Sequence, residues 1–181
     1  QELIKGIKPV LKDTFPAVYS GTADLYCFFY ARAVQIMRPG GMLVFISSNK
    51  WIRAKYGENL RQYLAEKCQI HSITDFGELP VFENAATFPM IFVAQKRSQV
   101  VPLSGKKELS HTEDPAIFTQ VKTLDPPYPD VLEIISQLGQ PLPKDSIKCA
   151  AWVLTDAKSA DRLRKMEKAG VPLGEYVKGK I

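Results

Sequence analysis

The chain lacks the usual signatures of several function classes. No GxG occurs anywhere in its 181 residues, so it carries no glycine loop of the kind that cradles a nucleotide or a methyl donor. Two histidines, His71 and His111, and three cysteines without CxxC spacing leave too few ligands for a zinc site. No apolar run is long enough to span a bilayer, and no signal peptide is present. No Ser/His/Asp set stands out and no carboxylate pair has a persuasive context. Internal repeats and low-complexity runs are also absent. The odd cysteine count (Cys27, Cys68, Cys149) predicts buried free thiols in a reducing, cytoplasmic setting.

What remains is a chain with enough apolar residues for a real core. It is 45% hydrophobic and 24% charged, with a net charge of +5 and a sequence pI of about 9.1. That surplus permits a polyanion partner without demanding one. The chain begins at Gln1 and not at Met, which reads as a piece cut from something longer.

The organising stretch is Thr22 to Trp51, TADLYCFFYARAVQIMRPGGMLVFISSNKW. Leu25, Phe28, Phe29, Ile36 and Met37 recur at helical spacing, which predicts an amphipathic helix with these residues inward. Thr22 and Asp24 suit its first turn, and Pro39-Gly40 stops it. Met42 to Ile46 is apolar without alternation. That predicts a strand covered on both faces, central in a helix-flanked sheet. Ser47 to Trp51 then lies at the carboxyl end of the strand, where open α/β sheets bind ligands.

Other segments have simpler patterns. Gln1 to Tyr19 is a short basic helix or loop broken by Pro9 and Pro16. Ile52 to Gly57 is a basic aromatic loop, and Glu58 to Lys67 a second helix with Leu60, Tyr63 and Leu64 inward. Ile70 to Phe76 and Phe88 to Gln95 are strands joined by a loop without a crossover helix, so they should pair antiparallel. The fold class is α/β. Residues 1–96 form one unit, 97–117 a polar linker, and 118–181 a small α+β connector. Within the connector, strands are expected over 118–124 and 147–154. Helices are expected over 129–138 and from an Asp156 cap to Ala169, with extended chain from Val171 on. Asp125-Pro126-Pro127-Tyr128 spells a sequence with which amino-methyltransferases grip a target amine. Its polar preceding residues and the helix after it favour a rigid proline turn instead.

Two blocks carry a family resemblance: SGTADLYCFFYARAVQIMRPGGMLVFISSNKWIRAKYGENLRQYL and ITDFGELPVFENAATFPMIFVAQK. They resemble the adenine-specific DNA methyltransferase part of single-chain (type IIG) restriction–modification enzymes, motifs V to VIII in order. The resemblance implies the C-terminal half of a Rossmann-like, S-adenosylmethionine-dependent methyltransferase sheet: a parallel strand plus an antiparallel pair, with helices flanking. Gln1-Glu2 resembles the residues just past the family's catalytic Asn-Pro-Pro-Tyr, which would then lie upstream. The tail AWVLTDAKSADRLRKMEKAGVPLGEYVKGKI resembles the family's link into a DNA-recognition domain. In that family the Asn oxygen and a Pro carbonyl accept the adenine N6 hydrogens, which helps localise a lone pair otherwise spread into the ring. The base is first swung out of the duplex and held by stacking, and no metal is needed.

The implied roles are specific. Phe29 matches the aromatic beside the adenine of S-adenosyl-L-methionine, with core packing as its alternative. Asp24 and Tyr26 would help wall the cofactor, or Asp24 simply opens the helix. Phe82 matches the aromatic that stacks on the flipped adenine. Lys50, Trp51, Arg53 and Lys55 would contact double-stranded DNA, with solvated surface charge as the alternative. The catalytic residues themselves are not on this chain. A part without the glycine motif and Asn-Pro-Pro-Tyr is expected to be inactive alone. Losing the upstream strands would turn Met42–Ile46 into an apolar edge through which an isolated chain self-associates. The rival readings are a non-catalytic DNA-binding or assembly module, and a methyltransferase acting on RNA, protein or a small molecule.

Overall fold

The computed structural model describes residues 2–83, 87–98, 114–125, 130–143, 145–147, 152–155, 157–171 and 173–178. A helix α1 (Glu2–Thr14) leads into α2 (Leu25–Ile36), β1 (Met42–Ser48) and a short α3 (Lys50–Arg53). Then come α4 (Glu58–Lys67), β2 (Cys68–Asp75) and β3 (Pro89–Lys96). The remaining elements are β4 (Ile117–Gln120), α5 (Val131–Leu138), the two-residue β5 (Gln140–Pro141), α6 (Ala157–Ala169) and α7 (Leu173–Tyr176). No helix among the described residues is long and apolar enough to cross a membrane.

The strands form one mixed sheet in the order β1-β3-β2-β4-β5. The expected antiparallel pair is present, Ile73 opposite Phe92 and Asp75 opposite Met90. β3 also pairs antiparallel with β1, so β1 and β2 run the same way with a reversed strand between them. β4 adds in parallel beside β2.

Local chemistry fixes these elements. Asp24 caps α2, its Oδ1 accepting from Leu25 N–H at 2.8 Å. Gly40, at φ +75, takes the left-handed turn that a side chain disfavours. Its N–H donates to Lys96 C=O, Lys96 N–H donates to Gly41 C=O, and the Gln95 amide donates to Gly40 C=O, each at 2.9 Å. The turn between α2 and β1 is thereby stitched to the end of β3.

One face of the sheet lies under the helices. Tyr30, Trp51, Phe92 and Trp152 form its aromatic centre, with ring centroids 5.3 to 6.3 Å apart. Leu43, Leu60, Leu64, Ile70 and Ile73 complete it. Trp152, Ala116 and Leu142 join the same core from the far end of the chain. A second cluster, Phe76, Val121 and Ile134, takes in Leu79, Val81, Ile91, Leu124 and Val131.

Several expectations are corrected here. β1 is not a central strand: it is the edge of this sheet, and only Leu43 is buried along it. Met42, Val44 and Ile46 are 52%, 62% and 49% exposed. The inward face of α2 is Cys27, Phe28, Tyr30, Ala31 and Val34, while Phe29 and Ile36 are exposed. The helix is apolar nearly all round, so its spacing admits two faces, and the aromatic centre selects one. α1 continues through Pro9, although a proline there cannot donate back to the preceding turn. Residues 50–57 are two short helical turns and not a loop. Residues 145–147 form a turn and 152–154 are irregular, so the described part of 147–154 is not strand. Leu173–Tyr176 is helical where extended chain was expected. Most of the linker, Pro126–Tyr128 of the Asp-Pro-Pro-Tyr sequence and the Asp156 cap lie outside the described residues.

Candidate functional site at one end of the sheet

α2 runs back along β1, so its N-terminal turn stands at the carboxyl end of β1. The bond between the Tyr30 hydroxyl and Ser47 Oγ, 2.8 Å, fixes that alignment. The carboxyl ends of β1 and β2 and the start of β3 meet at the same end of the sheet. Asp24, Tyr26, Phe29, the 49–57 segment and the 76–83 loop therefore lie toward that end of the sheet.

Phe29 is 54% exposed while its neighbour Phe28 is buried against Phe15 and Tyr19. Core packing is thus taken by Phe28, and the Phe29 ring stands free of it. Phe82 is 45% exposed, on a loop whose Leu79 and Val81 are anchored in the second apolar cluster. Asp24 is engaged as the helix cap. Tyr26 turns its hydroxyl to Tyr56, 2.6 Å away. Burial, and then that bond, raise the Tyr26 phenol above its usual range, so both phenols are neutral at ordinary pH. The pair ties the first turn of α2 to the 3₁₀ turn Lys55–Gly57.

Lys50, Arg53 and Lys55 are exposed along α3 and the turn after it, and the Lys50 ammonium lies 5.7 Å from the centre of the Phe88 ring. Trp51 is a correction. Grouped by sequence with these cations, it is fully buried between Tyr30, Phe92 and Trp152, where its side chain cannot reach DNA. It is instead the peg that holds the basic turn to the core.

Sequence reasoning missed three other residues that shape this end of the sheet. Arg61, buried on α4, donates from Nη1 to the Trp51 and Ala54 carbonyls. Those acceptors sit where α3 ends and the 3₁₀ turn begins: the Ala54 carbonyl also accepts from Gly57 N–H at 3.1 Å, and the charged donor reaches the Trp51 carbonyl beside it. Gly57 passes so close that a Cβ there would lie 1.9 Å from the Trp51 carbonyl oxygen. Asp75, at the end of β2, is 6% exposed and accepts from Asn49 Nδ2 at 2.8 Å and Gly77 N–H at 2.9 Å. A carboxylate ending a strand, two residues before a glycine, is the one sequence signal for it. The Asp125 carboxylate is occupied locally by the Thr123 hydroxyl.

Comparison with known proteins gives this arrangement its context. Residues 1–82 match the family model described as Eco57I restriction-modification methylase. Type II methyltransferase M.XhoI from Xanthomonas vasicola is 32% identical over 123 residues, 67% of this chain and 22% of that protein. Type II methyltransferase M.BanIII from Aneurinibacillus aneurinilyticus is 36% identical over 106 residues, 56% of this chain and 18% of that one. The aligned stretches thus span about a fifth of these relatives. Among solved structures, the M protein of the type I restriction enzyme EcoKI aligns at TM-score 0.45 and 14% identity, covering 65% of this chain and 26% of that chain.

Proposed function

We propose, from the match of residues 1–82 to the family model described as Eco57I restriction-modification methylase, that the chain is part of a site-specific DNA N6-adenine methyltransferase of the cytoplasm. In this reading it supplies one wall of the methyl-donor pocket and one wall of the pocket for a flipped adenine. The observation that supports this reading is the pair of half-exposed rings, Phe29 and Phe82, each left out of the apolar cluster that anchors its own element. An aromatic ring left out of the core beside a polar strand end costs apolar exposure. A flat, stacking ligand recovers it.

The fit to S-adenosyl-L-methionine rests on Phe29, whose free face suits the adenine of that cofactor and whose helix is held rigid by the Asp24 cap and the Tyr26–Tyr56 bond. The bound cofactor supplies an electrophilic methyl group. The chain's own part is positional. Phe82 stacks on the extruded base, a contact worth about 1–3 kcal/mol. Lys50, Arg53 and Lys55 meet backbone phosphates of double-stranded DNA and fix its register without reading sequence. The groups that take hold of the adenine amine belong to the upstream part of the enzyme, so the isolated chain is inactive. Residues from 118 on are read as the connector toward a DNA-recognition domain. The bare edge β1, with Met42, Val44 and Ile46 outward, would lead an isolated chain to self-associate.

The test is Phe82→Ala in the complete methyltransferase that carries this chain, with 2-aminopurine at the target position. Flipping unstacks the probe and raises its fluorescence, and loss of the Phe82 ring should change that signal and weaken retention of the base by roughly tenfold or more. An unchanged signal removes Phe82 from the site.

A further inference from the structure

The turn after β1 contains an asparagine used against local expectation. Asn49 occupies the position before α3, where an Asn side chain ordinarily accepts from the first free N–H groups of a helix. It makes no such bond. Its amide instead reaches across 26 residues of sequence to donate to Asp75 Oδ1. Because a carboxylate only accepts, the Asn49 amide nitrogen must be the atom facing it.

The same two residues hold the surrounding backbone. Asn49 N–H donates to Phe88 C=O at 2.8 Å, and Asn49 C=O accepts from Ile52 at 3.0 Å. Asp75 C=O accepts from Val121 N–H at 2.9 Å. The Asp75 carboxylate also takes the N–H of Gly77, whose φ of +55 starts the turn into the Phe82 loop. The ends of β1, β2 and β4 and the start of β3 thus converge on one side-chain bond, and the loop bearing Phe82 departs from it.

We propose that Asn49 and Asp75 act as a positioning pair: their bond sets the Phe82 loop against the turn that carries Lys50 and Arg53. A buried carboxylate that loses one of its two donors is left under-paired, so the Gly77 turn should loosen. Neither residue touches the reacting groups. The inference rests on the functional reading only for what the loop is used for; the clasp itself is a property of this chain.

Two readouts keep these apart. Hydrogen exchange over residues 76–83 is measured on the chain itself for wild type, Asn49→Ala, Asp75→Asn and the swapped double variant Asn49→Asp with Asp75→Asn. The single variants should speed exchange in this loop roughly tenfold or more, while amides of β3 hold. The swap puts an amide opposite a carboxylate again and should restore protection. Unchanged exchange in the single variants, or loss everywhere including β3, overturns the clasp. In the complete enzyme, the single variants should lower the target 2-aminopurine signal and the swap should recover most of it. A wild-type enzyme that neither methylates DNA nor raises 2-aminopurine fluorescence would overturn the functional reading and leave the exchange result to decide the clasp. A normal signal in Asn49→Ala beside a flipping wild type would overturn the positioning role alone.

Discussion

The two faces of β1 are built from one apolar sequence and end differently. Leu43 is closed off on the helix side, and Phe45 lies 4.9 Å from Tyr30 there. Met42, Val44 and Ile46, alternating with them, are about half exposed or more. Only one side has a partner layer among the described residues. A strand that is apolar throughout thus presents a bare apolar face on one side. Stability resides in the aromatic centre beneath α2, and not in the strand's hydrophobicity as such.

The sharpest way to break that comparison is to remove a ring from the packed side. Trp51 contacts Tyr30, Phe92 and Trp152. Trp51→Ala should cost about 3–5 kcal/mol, a large share of the roughly 5–15 kcal/mol that holds a domain folded. Denaturant unfolding followed by circular dichroism measures it. A loss under about 1 kcal/mol would mean that the aromatic centre is not the core of the fold.

This residue also marks where the sequence stopped being readable. A tryptophan between Lys50 and Arg53 looks like surface. Its burial depends on Trp152, far along the chain in a segment whose described residues form no regular element. The antiparallel pairing of β2 with β3 was legible, because a short connection without a helix leaves little alternative. The helix, the Pro-Gly-Gly turn and the strand from Leu25 to Ser48 were legible for the same local reasons. The inward face of α2 was not, since Phe28 and Phe29 are chemically equivalent until the sheet chooses between them. At the site, both free aromatics come from resemblance, and sequence places Asn49 only at the strand end, whereas the partners of Asn49, Asp75 and Arg61 emerge only from tertiary contacts.

A second, smaller effect sharpens the description of the packed side. Burial pushes the Cys27 thiol up to about 12, with the Asp24 charge adding to it, and the Cys68 thiol up to about 11. An unfolded thiol titrates near 8.5, so from about pH 8.5 up to about 11 for Cys68 and about 12 for Cys27 the unfolded chain sheds protons that the folded chain keeps. Stability should fall as pH rises through that window, by up to about 1.4 kcal/mol per pH unit for each thiol. Below it, these groups add no pH dependence. Denaturation midpoints at pH 8 and 10 test this, and Cys27→Ala with Cys68→Ala should flatten the difference. Tyr26 and Tyr30, also raised by burial, enter only above about pH 10.

The smallest effect on stability is expected on the open side, and it is informative because it separates folding from association. Val44 is 62% exposed, so Val44→Lys removes little buried area and should change unfolding by no more than about 0.5–1 kcal/mol. What it should change is self-association. A strand edge with free backbone groups and an apolar face invites a second copy, and a charge placed on that face opposes it. Light scattering on the isolated chain at high concentration should give a dimer or larger species for the wild type and a monomer for Val44→Lys. Leu43→Ala, one residue away, should do the reverse: it weakens folding by about 2–5 kcal/mol and leaves no less apolar surface outside. If the wild type stays monomeric, the open face is no docking surface for a second copy. If instead Val44→Lys unfolds the chain as readily as Leu43→Ala, the face counted as bare is part of the core and the contrast between the two sides of β1 is lost.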